Sequence, residues 1–156
     1  MKRPVCPCHS GLALAVCCGP LHRGEREAET PVALMRSRYA AFAVANVDYL
    51  WRTLHEEHSD RALDRAEVLS SLRRVCRASR HPGLMVLDAD GPDGDGVARV
   101  LFRARVFVGC VDRTFVECSL FRHDGVGWRY VSGELDDDSR VLQGVSTLAA
   151  FAARHR

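Results

Sequence analysis

The chain lacks a surplus of charge of either sign: Lys and Arg number 22 and Asp and Glu 20 among 156 residues. So even a balance does not draw a nucleic acid or an anionic membrane non-specifically. It also lacks a long hydrophobic run, since nowhere do about 18 apolar residues follow one another. The basic opening Met1-Lys2-Arg3 leads into Pro4-Val5-Cys6-Pro7-Cys8 rather than into the apolar stretch of a signal peptide. The expectation is a cytoplasmic protein that engages no membrane and carries no specific nucleic-acid signal. No Ser-His-Asp spacing, phosphate loop or dinucleotide fingerprint is present. The run from Gly91 to Gly96 lacks the twelfth-position glutamate and the flanking helices of a calcium loop, and reads as a turn. There is no internal repeat, and the length suits one filled core with a small appendage.

Cysteine is what the chain does have. Four of its seven cysteines, Cys6, Cys8, Cys17 and Cys18, crowd into thirteen positions. In a reducing compartment this points to metal or redox chemistry rather than a disulfide scaffold. Pro7 biases Cys6 toward extended backbone, where residues two apart face the same way. The second half reads as a short helix: Ser10 caps it, residues 11–16 fill it, Cys17 and Cys18 end it, and Gly19-Pro20 stop it. Neighbours on a helix diverge by only about 100°, so adjacent thiolates there converge on one ion. A Cys17–Cys18 disulfide is opposed by geometry, because consecutive Cα atoms lie about 3.8 Å apart, below the roughly 4.4 Å usual for a disulfide. Four thiolates favour tetrahedral zinc in a structural site with no position left for a catalytic water. A segment this small then depends on the metal for its folding energy. Within the zinc reading, His9 or His22 in place of one thiolate is the alternative; outside it, the cysteines are free or redox-active. Cys76, Cys110 and Cys118 read as small buried hydrophobes.

Downstream, Thr30-Pro31 predicts a helix start, and Leu34, Met35, Arg38, Tyr39, Phe42 and Val44 carry the pattern to Asn46. Asp48 can cap a second helix through His55. Leu63, Val68, Leu69, Leu72, Val75 and Cys76 mark a third over residues 59–80, ended by Pro82-Gly83. Beyond Gly83 the period becomes two. Strands are predicted at 84–90, 97–108, 114–123 and 127–132, with turns at 90–96, 109–112 and 124–127. In the second of these strands Ala98, Val100, Phe102, Ala104, Val106 and Val108 share one face, and Arg99, Arg103 and Arg105 the other. That arginine row suits a solvated face or an acidic partner. A last amphipathic segment, 140–154, has Leu142, Val145, Leu148, Ala149 and Ala152 for packing or self-association. Helices first and an antiparallel sheet afterwards argue an α+β domain.

The run Cys6-Pro7-Cys8-His9-Ser10-Gly11 followed by Cys17-Cys18-Gly19 resembles the SEC-C motif, a small zinc-binding element also found at the C-terminal end of the SecA translocation ATPase. The resemblance continues through Gly19-Pro20-Leu21-His22, Leu34-Met35-Arg36-Ser37-Arg38-Tyr39 and Asp48-Tyr49-Leu50. It resumes at Glu117-Cys118-Ser119-Leu120-Phe121-Arg122 and Trp128-Arg129-Tyr130, and so covers most of residues 4–133. The chain thereby resembles the bacterial YchJ family, whose activity is not established. The resemblance implies a zinc module, at 1–24, joined to a cone-shaped domain, at 28–138, similar to nuclear transport factor two and to cystatin-like folds; the C-terminal helix, at 139–156, lies outside the resemblance and rests on its apolar pattern alone. Glu56 after His55, where the family commonly has proline, and Cys118, where it often has arginine, are departures. So is the lack of the second cysteine motif that some members carry near the C-terminus.

Cones of this kind often enclose a pocket, and the polar or aromatic residues in the matched blocks are the candidates for its lining: Arg38, Tyr39, His55, Glu117, Ser119, Trp128 and Tyr130. Glu117 and Ser119 are two apart on a strand, with Phe115 and Phe121 on the same face. Such a carboxylate is a candidate general acid or base. The same placement fits a Glu117–Arg38 or Glu117–Arg105 ion pair that orders the core. His55, at a predicted helix end, suits interaction with the helix dipole. Two functions follow as expectations. One is a non-enzymatic adaptor whose cysteine module, with basic Lys2, Arg3 and Arg23, docks on a protein or ribosomal partner. The other is a small-molecule binding protein or enzyme that uses the pocket, with Glu117 or His55 as the acid-base group.

Overall fold

The computed structural model describes residues 3–138 and 143–156. A four-residue helix, α1 (Gly19–His22), closes the cysteine-rich segment, and α2 (Pro31–Ala43) follows. Thr30 caps α2 through its hydroxyl, which accepts from Ala33 N at 3.1 Å, with proline at the first position. Leu34, Met35, Ser37, Tyr39, Ala40 and Ala41 are all buried along it. A helix with burial on so many sides lies between two layers. One is the sheet and the other is the cysteine-rich segment.

Helix α3 (Val47–Arg52) is capped by Asn46, which accepts from Tyr49 N, and not by the expected Asp48. Ala45, at φ +57°, turns the chain one residue early, and Asp48 instead pairs with Arg65. The expected single helix over 59–80 is two pieces. A 3-10 turn (Ser59–Ala62) ends where Leu63 becomes extended, and Asp64 caps a fresh helix, α4 (Arg65–Ala78).

Pro82-Gly83 does not end that helix. Strand β1 (Ser79–Asp90) begins directly after Ala78 and runs through both residues. The pairing of β1 with β2 (Val97–Val108) is irregular between Arg80 and Gly83. Proline is tolerated there because no ladder donor is demanded of it. The Tyr39 hydroxyl fills the irregularity, accepting from Gly83 N at 3.1 Å and reaching the Gly83 carbonyl at 2.7 Å.

The remaining strands are β3 (Val111–Asp112), β4 (Phe115–His123) and β5 (Trp128–Asp136). The sheet order is β1-β2-β4-β5, antiparallel throughout, with β3 beside β2. Val100, Phe102 and Ala104 face the helices in the main core. Leu101 and Val116 face the other way and are covered by Phe151 of α5 (Leu148–Arg154), which is only 2 % exposed. The C-terminal helix therefore packs on the sheet's outer face, and the cone stays uncapped by it. Leu142, expected in that packing, lies outside the described residues, and Ala149 and Ala152 are exposed.

Arg129 ties distant segments together. Its nearly buried guanidinium donates to Glu27 Oε2 at 2.8 Å, in the linker before α2, and to Asp124 Oδ2 at 2.9 Å, in the β4–β5 turn. Replacing it strips Asp124 of this counter-charge and leaves Glu27 only the longer 3.8 Å contact with Arg52. Arg129→Ala is expected to cost about 2 kcal/mol, read as a lower denaturant midpoint at unchanged m-value.

Candidate metal centre and cavity

The first half of the cysteine site is a turn rather than an extended strand. Pro7 and Cys8 reverse the chain, His9 N donates to Cys6 O at 3.1 Å, and Cys6 N donates to Leu12 O at 2.7 Å. Val5 then pairs with Ala13 as a β-bridge. So tight a reversal needs left-handed backbone, found at His9 (φ +63°) and at Gly11 (φ +84°), where glycine carries no penalty. The second half is not a helix capped by Ser10. A 3-10 turn (Leu14–Val16) precedes Cys17, and Gly19-Pro20 open α1 instead of stopping a helix. Proline is at home in a first helical turn, which wastes none of its missing donor. The Ser10 hydroxyl accepts from Leu12 N and lies 3.2 Å from the Cys17 sulfur.

The four sulfurs of Cys6, Cys8, Cys17 and Cys18 lie within 4.8 Å of one another and can hold a metal ion. Cys8 and Cys17 are 3.6 Å apart, and Cys17 and Cys18 are 3.9 Å apart. Cys6, Cys8 and Cys18 are buried, whereas Cys17 is partly open. Burial pushes the Cys6 and Cys18 thiols up. Burial also acts upward on Cys8, but hydrogen bonds from Ser10 and Cys6 outweigh it and bring that thiol to about 7. Neither histidine joins the set. His9 Nε2 lies 3.2 Å from His81 O, and His22 Nε2 lies 2.8 Å from Ser37 O with its ring against Tyr49.

This knuckle is seated on α2. Ala40, fully buried, packs with Cys6, Cys8 and Cys18, and Arg36 donates to Cys8 O at 3.1 Å. Arg52 of α3 donates to Leu21 O at 2.9 Å. Of the expected basic patch, Arg3 is exposed, Lys2 lies outside the described residues, and Arg23 is neutralised by Glu25 at 2.6 Å.

On the other side of α2 a cavity of about 430 Å³ opens between α2, the end of α4 and the sheet. Arg38, Tyr39, Glu117, Ser119 and Tyr130 line it together; His55 and Trp128 do not. His55 is buried past the end of α3, where its backbone N donates to Tyr130 O and its ring accepts from Glu57 N. Trp128 sits at the start of β5, edge-on to His123, and packs into the main core.

Glu117 makes neither expected ion pair. Its Oε1 accepts from Ser119 Oγ at 2.6 Å and from the Tyr130 hydroxyl at 2.8 Å. Burial, reinforced by the Glu117 charge, holds the Tyr130 phenol far above its usual range, so it stays a donor. Arg105 is exposed, its guanidinium over the ring of Phe107. Arg38 donates through Nη1 to Leu50 O at 2.8 Å and Thr53 Oγ1 at 2.6 Å, with its guanidinium 4.7 Å from the Tyr130 ring centre. Burial lowers its pKa from the ordinary arginine value.

Sequence reasoning missed three participants here. Thr53 orients Arg38. His81 lines the cavity with Nδ1 buried and unpartnered, and burial lowers its pKa. Gly133 lies opposite Ser119, where any Cβ would collide with the Glu117 carboxylate. A glycine inside a strand is the one local signal of such a close approach. The row of arginines on β2 is divided in role, with Arg99 held by Asp90 at 2.8 Å and Arg103 partly buried. Cys76 is buried and Cys118 half-buried, but Cys110 is exposed in the turn after β2 because that turn projects beyond the core.

Helices cradled by an antiparallel sheet, with a four-cysteine knuckle docked on their outer side, define a small cysteine-knuckle protein built on a cone of the nuclear-transport-factor-two class. Residues 30–133 match the family model described as YchJ, middle NTF2-like domain. The chain belongs to the YchJ family, whose members are uncharacterised. It is 35 % identical to the UPF0225 protein YchJ of Shigella dysenteriae over 129 residues, 83 % of this chain and 82 % of the relative. A UPF0225 protein of Deinococcus radiodurans is 47 % identical over 90 residues, 57 % of this chain and 69 % of that one. Among solved structures, a SEC-C motif containing protein from Rhodopseudomonas palustris superposes with a TM-score of 0.71 at 34 % identity, covering 87 % of this chain and all of that one. No helix among the described residues is long and apolar enough to cross a membrane.

Proposed function

We propose that this chain is a zinc-stabilised, non-enzymatic interaction protein of the cytoplasm, in which the knuckle presents a docking surface to a protein partner. The observation that carries this reading is the exposure of three large apolar side chains on one small module: Val5 at 64 %, Leu12 at 56 % and Val16 at 57 %. Apolar groups left in water on a metal-held scaffold suit contact with another protein. Zinc is favoured by the donor set, because a tetrahedron of 2.3 Å zinc–sulfur bonds has edges of roughly 3.8 Å. The two contacts of 3.6 and 3.9 Å fall on either side of that value. With four protein sulfurs around it, zinc would supply cross-linking and no open position for a reacting water. Cysteine usage of this kind suits a reducing compartment.

The test is a Leu12→Asp, Val16→Asp double variant, checked for unchanged zinc content and circular dichroism. Partners are then recovered from bacterial lysate, with ribosomes assayed separately by co-sedimentation. Loss of a specific protein that the wild type retains supports the reading. An unchanged set of partners overturns it.

A further inference from the structure

Packing alone would close the space between α2 and the sheet. About 430 Å³ stays open instead, walled by Tyr39, Phe42, Phe102, Phe115, Phe121 and Tyr130. Small-molecule sites span roughly 300–1,000 Å³ with mostly apolar walls and a few convergent polar groups. Besides the hydroxyls and the His81 ring already described, two charged groups reach this chamber. The Oε1 of Glu117 is already engaged by Ser119 and Tyr130, while its Oε2 has no hydrogen-bond partner among the described residues. Arg38 uses Nη1 for Leu50 and Thr53, and its Nε and Nη2 have no acceptor among the described residues. On these two residues the capacity left over is one acceptor from an anion and donors from a cation, while the unpartnered Nδ1 of His81 is itself buried.

That combination discriminates between ligand classes. An ammonium would meet Arg38, a carboxylate would meet Glu117, and either ion would give up its water for an apolar chamber. A neutral group with an N–H beside a C=O satisfies both residues at once and carries little desolvation cost. We propose that the cavity binds a small, flat, largely apolar molecule with an amide-type head, a lactam or primary carboxamide. Its N–H donates to Glu117 Oε2, its C=O accepts from Arg38, and its ring lies among the aromatic walls. The proposal is independent of the knuckle and of what the knuckle binds.

The test titrates 2-quinolone and N-methyl-2-quinolone into the full-length, metal-loaded protein and follows amide resonances. Saturable shifts confined to α2, the end of α4, the start of β1, and β2, β4 and β5 are expected for 2-quinolone. The N-methyl probe should bind about tenfold or more weakly, because methylation removes a charge-assisted hydrogen bond and leaves a buried acceptor unpaired. Benzylamine and benzoate, of similar size but charged, should bind more weakly than 2-quinolone. Phe115→Trp, which enlarges an aromatic wall and leaves Glu117 and Arg38 unchanged, should abolish the shifts while the rest of the spectrum is retained. Equal affinity for the two quinolones, tighter binding of a charged probe, or no saturation at low-millimolar concentration overturns the proposal. These outcomes are read on the wild-type protein, so they stand even where the variant fails to fold.

Discussion

Chelating the metal from the four-cysteine cluster is expected to unfold the knuckle first and to lower the melting midpoint of the whole chain. The knuckle has little of its own to hold it: one β-bridge, a single 3-10 turn and a few backbone bonds among residues 4–18. Its buried groups are mainly the cysteines themselves, and three of them pack on Ala40 of α2. Without an ion, four clustered thiols provide weak hydrogen bonds in place of a tetrahedral cross-link, so the metal-free segment has almost no core. The loss reaches further than the knuckle because α2 is covered by it. Once it detaches, Ala40 meets water and Arg36 loses the Cys8 carbonyl. A cost of about 3 kcal/mol corresponds to a midpoint lower by roughly 6–12 °C for a chain of this size. Calorimetry and amide exchange on the metal-loaded protein, the chelated protein and a Cys17→Ser, Cys18→Ser variant provide the check. Early exchange in residues 4–22 with persistent protection in β2 and β4 is the expected pattern. Identical melting with and without metal would show that no ion holds this segment.

Gly133→Ala should be nearly as damaging, although it adds one methyl group. Gly133 faces Ser119 across the β4–β5 ladder, and a Cβ built there collides with the Glu117 carboxylate and comes within 2.5 Å of the Tyr130 hydroxyl. Neither group can withdraw freely. Glu117 is held by two short hydrogen bonds, and Tyr130 is packed against Phe121 and beneath the Arg38 guanidinium. Overpacking of this sort, joined to the loss of a buried hydrogen bond, costs about 2–4 kcal/mol. Gly94→Ala is the matched control, since its Cβ would meet nothing within 4 Å, and it should stay within about 0.5 kcal/mol of the parent. Equal melting of the two variants would mean that the Glu117–Tyr130 contact is looser than described.

Much of the secondary structure was legible because its causes are local. Thr30-Pro31 starts α2, and the alternation from Val97 to Val108 marks β2 at its observed limits. Errors arose where local signals are ambiguous. Gly19-Pro20 and Pro82-Gly83 both read as stops, but proline suits a first helical turn as well as a helix end, and a strand irregularity excuses its missing donor. Asp48 and Ser10 are good capping residues that were passed over for Asn46 and for a turn. The backbone reverses earlier than periodicity implies, at Ala45 and at His9.

By itself the sequence determined the cysteine cluster, because four thiols within thirteen positions are held together by the chain whatever surrounds them. It likewise determined the face of β4 that carries Phe115, Glu117, Ser119 and Phe121, since a strand's period of two requires it. Only the tertiary structure decided what those residues meet. Arg38, Glu117 and Tyr130 come from α2, β4 and β5, and their distances depend on helix packing and on the β4–β5 register slip beside Phe121. The fold therefore pairs Glu117 with two hydroxyls rather than with an arginine, leaves His55 and Trp128 outside the chamber, and seats the knuckle on α2. None of these follows from spacing, because each depends on contacts between segments far apart in the chain.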